Sequence, residues 1–303
     1  MERQQITNLV NRVWQRIRRM VETPPVKERT IVRVVNASED NPCRPGFLIG
    51  VYRSGTTLLR FILDSHPNIA VPPETNFLTT LSEFWDVEWN RKGLQGVGVD
   101  EEILRQRLRR FAGSMLDDYT RAKGKRRWFD KTPSYIDSLN FIDAVFGVDT
   151  QYIMLYRHGL DVAASLATVH GANELAGPAI RYTEEYERSP RLAFVRYWRD
   201  QCEKMLAFED AHHEQCFRVY YEQYVTEPEY YLKPLFKFLG EQWESDVLNF
   251  SNQPHDFGLQ DHKVVETKQF KPSLNNYRSW PQEELAEARE IAGPTLEKLG
   301  YTV

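Results

Sequence analysis

The chain has 303 residues, of which 41% are hydrophobic and 27% are charged; this suits a folded protein of one large or two small α/β domains. Its net charge of -4 gives no bulk reason to expect a nucleic-acid partner, so any anion site must be local. Three widely spaced cysteines without a CxxC pair favour neither a disulfide framework nor a zinc site. No apolar run of eighteen residues and no leader-like start is found, so we expect a cytoplasmic protein.

Residues 1–23 are predicted to form a separate amphipathic helical arm. Apolar residues recur at helical spacing, four arginines lie between positions 12 and 19, and the "TPP" that begins at Thr23 ends the pattern. Such an arm packs on the domain or on a second subunit, or it lies peripherally on a membrane surface. Residues 24–303 are predicted to form a single domain.

Strands and helices are predicted to alternate along that domain. The predicted strands are 47–51, 69–71, one ending within 126–133, 150–156 and one within 216–224. The predicted helices are 56–66, 74–85, 101–122, 134–146, one from about 161, 190–213, 228–240 and 281–300. This alternation is typical of a parallel α/β sheet with helices on both faces.

The stretch "FLIGVYRSGTTLLRFILDSHP" places a buried strand before a glycine loop and a helix after it. Gly50 and Gly55 match the phosphate-binding template GxxxxGK[ST], but Thr56 and Thr57 follow where the lysine belongs. Backbone N–H groups, the helix N-terminus and two hydroxyls favour an anion, and Arg53 supplies a cation. Without the lysine, the loop suits one 5′-phosphate better than a polyphosphate chelated to Mg²⁺.

The segment "YRSGTTLLRFILDSHP" resembles the 5′-phosphosulfate loop of sulfotransferases that use 3′-phosphoadenosine 5′-phosphosulfate (PAPS). It is most similar to the "PRSGTTLL…HP" form of tyrosylprotein sulfotransferases and bacterial relatives, with Tyr52 where many have proline. The resemblance implies an α/β fold with a P-loop-type parallel sheet, helices on both faces, and helical insertions that form the acceptor pocket. It also implies PAPS as co-substrate, adenosine 3′,5′-bisphosphate (PAP) as product, and no metal.

A 3′-phosphate needs a second cationic site, and "YIMLYRHGLDVAASL" offers one. Arg157 follows a strand and Ser165 lies in the next helix, in the places of the family's 3′-phosphate motif, although His158 and Gly159 replace its Asp-Pro. "VYYEQYVTEPEYYLKPLFKFLG" resembles a further nucleotide segment that places Tyr221 near the nucleotide. Lys271 is the favoured basic residue of the C-terminal lid, with Lys268 and Arg278 as alternatives. The implied nucleotide-binding set is Arg53, Ser54, Gly55, Thr56, Thr57, Arg157, Ser165, Tyr221 and Lys271.

Sulfuryl transfer needs a cation on the leaving oxygen, a donor to the sulfuryl group, and a base for the acceptor's proton. The resemblance implies Arg53 and Lys131 for the first two roles, although Lys131 is alternatively a surface lysine paired with Asp130. For the base it implies Glu74, in "VPPETNF", with His170 as the alternative.

The acceptor is less defined. Asn76 stands where tyrosylprotein relatives have a substrate-guiding arginine, which does not favour an acidic peptide. An aromatic insert walls an apolar acceptor pocket or belongs to the core; its members are Phe77, Phe84, Trp85, Trp89, Phe111, Tyr119 and Trp128. The expected function is sulfuryl transfer to a hydroxyl, less favourably an amine, of a small-molecule, lipid or carrier-linked acceptor. The alternatives are a P-loop small-molecule kinase and an inactive adenine-nucleotide-binding module.

Overall fold

The computed structural model describes residues 43–170, 181–256, 270 and 272–302, without the side chains of residues 169 and 170. All of them belong to one compact unit that spans Val34–Val303. The predicted N-terminal arm lies outside the described residues. Within the described ranges, no helix has the length and apolar character needed to cross a bilayer.

Five strands and eleven α-helices cover most of the described residues. The strands are β1 (Gly46–Gly50), β2 (Ile69–Ala70), β3 (Arg127–Trp128), β4 (Gln151–Tyr156) and β5 (Cys216–Tyr220). The first five helices are α1 (Thr56–Asp64), α2 (Phe77–Asp86), α3 (Glu88–Gln95), α4 (Glu101–Ala122) and α5 (Leu139–Phe146). The others are α6 (Gly159–His170), α7 (Thr183–Arg188), α8 (Pro190–Ala211), α9 (Tyr221–Thr226), α10 (Pro228–Leu239) and α11 (Gln282–Lys298). Short 3₁₀ turns complete the set at Pro133–Ser138, Gly147–Asp149, Ser245–Asn252 and Asn276–Ser279.

All strand pairs in the described sheet are parallel. β4 pairs with β1 on one side and β5 on the other, and β2 pairs with β3. Two parallel bridges, Arg44 with Arg127 and Phe47 with Asp130, join the two groups. The order across the sheet is therefore β2-β3-β1-β4-β5. Because the strands are parallel, their carboxyl ends meet at one edge, which is where open α/β sheets bind ligands.

Alternate residues of the central strands face two separate hydrophobic clusters, as period-2 geometry requires. Phe47, Ile49 and Met154 pack into one cluster, which takes apolar residues from α4, α5, α6, α8 and α11. Leu48 and Ile153 pack into the other, with residues of α1, α9 and α10. The predicted α/β sheet covered on both faces is confirmed.

One helix begins later than predicted, with consequences for the site. The pattern predicted a helix over 74–85, but α2 begins at Phe77. Asn76 has a left-handed backbone (φ 57°), which interrupts helical geometry. Glu74 therefore lies in an extended loop rather than in the first turn of a helix.

Candidate active site

The loop between β1 and α1 has the backbone of an anion cradle. Arg53 (φ 69°) and Gly55 (φ 92°) are both left-handed, and Ser54 N donates to the carbonyl of Val51 over 3.0 Å. A Cβ atom on Gly55 would lie 2.5 Å from the Tyr221 ring. Glycine is required here by both the dihedral angle and the lack of space.

The two predicted anion-binding segments meet at the carboxyl edge of the sheet. Arg53 Nε donates to Ser165 Oγ over 3.0 Å, although these residues are 112 positions apart. Arg157 Nη1 donates to the carbonyl of Arg53 over 2.6 Å, and Nη2 donates to the carbonyl of Ser273 over 2.6 Å. The structure thus brings together three residues that separate motifs supplied.

Two tyrosines of α9 support this cluster from behind. The Arg157 guanidinium lies 4.5 Å above the centre of the Tyr221 ring, whose hydroxyl accepts from Ser273 N over 3.3 Å. Tyr224, which is fully buried, donates from its hydroxyl to the carbonyl of Gly55 over 3.0 Å. Tyr221 therefore lies between the loop and the C-terminal segment, in contact with Arg157.

Glu74 and Lys131 form an ion pair beside the loop. Lys131 Nζ donates to Glu74 Oε1 and lies 3.5 Å from Thr57 Oγ1. The Lys131 side chain is fully buried and that of Glu74 is 16% exposed, so only the glutamate side of the pair reaches solvent. The alternative of a surface lysine paired with Asp130 is wrong, because Lys131 is buried and turns toward Glu74.

Electrostatics at this pair follow from burial. Burial lowers the pKa of Lys131, and the neighbouring Glu74 carboxylate acts in the opposite direction. The arrangement keeps the Lys131 ammonium and the partly exposed Glu74 carboxylate in contact, next to the hydroxyl of Thr57.

The segment that carries Glu74 is held by a buried arginine. Arg60, on α1, donates from Nε to the carbonyls of Val71 and Pro72, over 3.0 and 2.9 Å. The amide of Val71 donates to Asp64 Oδ1 over 3.0 Å. The helix that follows the anion loop therefore also positions the loop that bears Glu74.

Two carboxylates to which sequence reasoning gave no binding or catalytic role, Asp161 and Glu222, hold the C-terminal segment. The buried carboxylate of Asp161 accepts from the backbone N–H groups of Asn275 and Asn276, over 2.8 and 2.6 Å. Glu222 Oε1 accepts from His158 N over 2.9 Å, and Oε2 accepts from the Tyr301 hydroxyl over 2.8 Å. Asp161 and Glu222 share one sequence signal: each is an acidic residue in the first turn of a helix that follows a strand.

Some predicted residues do not reach the site or lie outside the described residues. Lys271, its alternative Lys268 and the side chain of His170 belong to the undescribed part. Trp128 is in the core, where Nε1 donates to Asp117 Oδ1 over 2.8 Å. Phe111 is exposed on α4 and lines a cavity of about 590 Å³ at the start of β1, at the opposite edge of the sheet.

Comparison with known proteins decides the family. A model of the sulfotransferase family matches residues 45–245, about two thirds of the chain. The chain belongs to the sulfotransferase family. It is therefore a sulfotransferase enzyme, and its matched region contains the anion loop, Glu74, Lys131 and the Arg157 segment.

Individual relatives agree with this assignment. Protein-tyrosine sulfotransferase A of Caenorhabditis elegans is 27% identical, over 92% of this chain and 73% of its own length. The protein-tyrosine sulfotransferase of Drosophila melanogaster is 26% identical, over 84% of this chain and 51% of its own length. The sulfotransferase domain from the curacin biosynthetic pathway is similar in fold, with a TM-score of 0.61 at 19% identity, over 88% of this chain and all of that domain.

Proposed function

We propose that this sulfotransferase moves the sulfuryl group of PAPS to a hydroxyl of an organic acceptor, with Glu74 as general base. The observation that carries the proposal is the position of the Glu74–Lys131 pair: Lys131 Nζ lies 3.5 Å from Oγ1 of Thr57, in the first turn of α1 directly after the anion loop. A base and a cation thus lie beside the place where the loop would bind a 5′-phosphate.

The residues of the site fit a nucleotide with two separate phosphates. Ser54 Oγ is buried and has no hydrogen-bond partner within the described ranges, as expected of a group that a phosphate would satisfy. The same holds for Arg157 Nε, in a guanidinium suited to grip a phosphate. Arg157 and Ser165 would hold the 3′-phosphate, and Ser54 to Thr57 the 5′-phosphate.

Each side chain has a role in the transfer. Glu74 takes the proton of the acceptor hydroxyl. At the same time the oxygen of that hydroxyl bonds to sulfur, and the bond from sulfur to the 5′-phosphate oxygen breaks. Arg53 and Lys131 stabilise the electron pair left on that oxygen. An ammonium has three donors, and among the described residues Glu74 and Thr57 account for two, which leaves one for a sulfuryl oxygen.

The acceptor is proposed as a class only. The tyrosine phenol named for the relatives is one candidate hydroxyl, and alcohols on small molecules, lipids or carriers are others. The two helices that follow Glu74 in the chain, α2 and α3, and the residue between them expose Phe84, Val87 and Trp89, which suits an acceptor with an apolar portion. Asn76 offers no cation for an acidic peptide.

Titration calorimetry with PAP, ADP and ATP, each with and without Mg²⁺, tests the nucleotide. We expect selective, metal-independent binding of PAP, abolished in Arg157→Ala. Preference for ATP with Mg²⁺ would support a kinase instead.

Transfer of ³⁵S from labelled PAPS to a panel of phenols, alcohols, amines and a tyrosine peptide then tests catalysis. Binding of PAP without transfer to any member of that panel would support the inactive module.

A further inference from the structure

A second set of hydrogen bonds lies directly behind the Glu74–Lys131 pair. Thr75 Oγ1 donates to Asp130 Oδ2 over 2.6 Å, and the Tyr135 hydroxyl donates to the same oxygen over 3.1 Å. The two hydroxyls are themselves 2.7 Å apart. The backbone N–H of Thr75 donates to Thr132 Oγ1 over 3.2 Å.

These contacts connect the two short segments that carry the reactive groups. Thr75 follows Glu74 in the chain, and Asp130 and Thr132 flank Lys131. Both the hydroxyl and the amide of Thr75 are therefore fixed to the segment that bears the lysine. That segment is fixed in turn to β1, since Asp130 N donates to Gly46 O and Leu48 N donates to Asp130 O, each over 3.0 Å.

The carboxylate of Asp130 loses its hydration in the fold, which costs free energy. It is fully buried, and burial raises its pKa to about 6, against the hydrogen bonds from Thr75 and Tyr135 and the charge of Lys131. In some proteins a buried charged group offsets its desolvation cost by fixing one arrangement of the chain. What the hydrogen bonds of Asp130 position here is the backbone that presents Glu74.

We propose that Asp130, acting through Thr75, is a positioning residue that holds the Glu74 carboxylate against Lys131. The inference rests on the proposed function of that pair. The carboxylate of Asp130 does not touch the reacting atoms. It fixes the loop that precedes α2, so that base and cation keep their contact before an acceptor arrives.

The test compares Thr75→Val with Thr79→Val. Both remove one hydroxyl from a half-buried threonine; Thr79 Oγ1 pairs with Ser134 Oγ over 3.1 Å, and no bond from it to Asp130 or Glu74 is found among the described residues. In ³⁵S transfer from PAPS to 4-nitrophenol, we expect Thr75→Val to lower kcat about tenfold to a hundredfold, as misplacement of a catalytic group does. Its affinity for PAP stays within about threefold of wild type. Thr75→Ser, which keeps the hydroxyl, restores kcat, and Thr79→Val leaves it unchanged.

A second measurement does not need an acceptor. In ¹³C-lysine-labelled protein, with the resonance assigned by Lys131→Arg, the titration of Lys131 reports its contact with Glu74. The charged groups that face Lys131 are Glu74, Asp130 and Arg60, and Glu74 acts most strongly to keep the ammonium charged. We expect the pKa of Lys131 to fall further in Thr75→Val and to stay at the wild-type value in Thr79→Val. Asp130→Asn should also lower kcat while its melting temperature at pH 8 does not fall.

The outcomes separate this inference from the function on which it rests. Equal kcat and equal Lys131 titration in Thr75→Val and wild type would overturn the positioning role, even if PAP binds and sulfate is transferred. A wild-type protein that neither binds PAP nor transfers sulfate would overturn the proposed function. In that case the Lys131 titration still decides whether Thr75 holds the ion pair.

Discussion

Gly55→Ala is the substitution whose effect the geometry of the site defines most sharply. The backbone at Gly55 has φ 92°, and the left-handed region costs an alanine about 1–2 kcal/mol. The new Cβ would lie 2.5 Å from Cδ2 of Tyr221 and 2.8 Å from the Tyr224 hydroxyl, and such overpacking adds about 1–3 kcal/mol. We therefore expect the free energy of unfolding to fall by about 2–5 kcal/mol.

The same displacement reaches the nucleotide site. Tyr221 lies under the Arg157 guanidinium, so a shift of its ring moves the group proposed to grip the 3′-phosphate. We expect affinity for PAP to fall at least about tenfold, equivalent to about 1.4 kcal/mol. Gly113→Ala is the matched control, since a Cβ there meets no described atom within 4 Å and lies inside α4. It should raise stability by about 0.5–1 kcal/mol.

Urea unfolding and PAP calorimetry on both variants supply the measurements. If Gly55→Ala were as stable as Gly113→Ala and bound PAP with wild-type affinity, neither the left-handed backbone nor the lack of room for a Cβ atom would require glycine at position 55.

Three further predictions concern the surroundings of the site. Tyr224→Phe removes the hydrogen bond to the carbonyl of Gly55 and should lower stability by about 1 kcal/mol in urea unfolding; no change would mean that this bond contributes nothing net. Arg157→Lys keeps the charge but loses the planar fork, and calorimetry should show weaker PAP binding, whereas wild-type affinity would argue against a bidentate grip. Although burial raises it, the pKa of Asp64 falls to about 2, chiefly through the hydrogen bond from His255. Because this pKa is depressed in the folded state, the pair should contribute about 2 kcal/mol above pH 4 that is lost as pH falls toward 2. In Asp64→Asn, the free energy of unfolding measured in urea should change less between pH 4 and pH 2 than it does in wild type. A pH dependence equal to that of wild type would contradict the assignment.

The sheet and its two helical layers could be predicted because buried parallel strands are short continuous apolar runs between helices. The runs at β1 and β4 have this form, and a glycine loop and an arginine follow their carboxyl ends. Parallel strands bring such ends to one edge, so the meeting of the two anion-binding segments follows from topology.

The Glu74–Lys131 pair was only partly predictable. The resemblance gave each residue a role, but 57 positions separate them, and no pattern gives their contact. Asp130 was considered only as a surface partner of Lys131. Side chains of consecutive extended residues point in opposite directions, so Asp130 turns inward to Thr75 while Lys131 turns to Glu74.

Helix propensity did not predict the residue at which α2 begins. A helical pattern continues back to Glu74, but tertiary contacts determine the backbone there. Arg60 and Asp64 hold Val71 and Pro72, and Asp130 holds Thr75. Such contacts arise between distant segments, so a local pattern cannot report them.

Single-turnover ³⁵S transfer by Glu74→Gln, with PAP affinity measured on the same sample, tests the central claim most directly. The glutamine preserves shape but cannot accept the acceptor's proton, so the transfer rate should fall at least about a hundredfold. PAP affinity should stay within about threefold of wild type, because Glu74 is not proposed to contact the nucleotide. A transfer rate equal to that of wild type would contradict the assignment of Glu74 as the base.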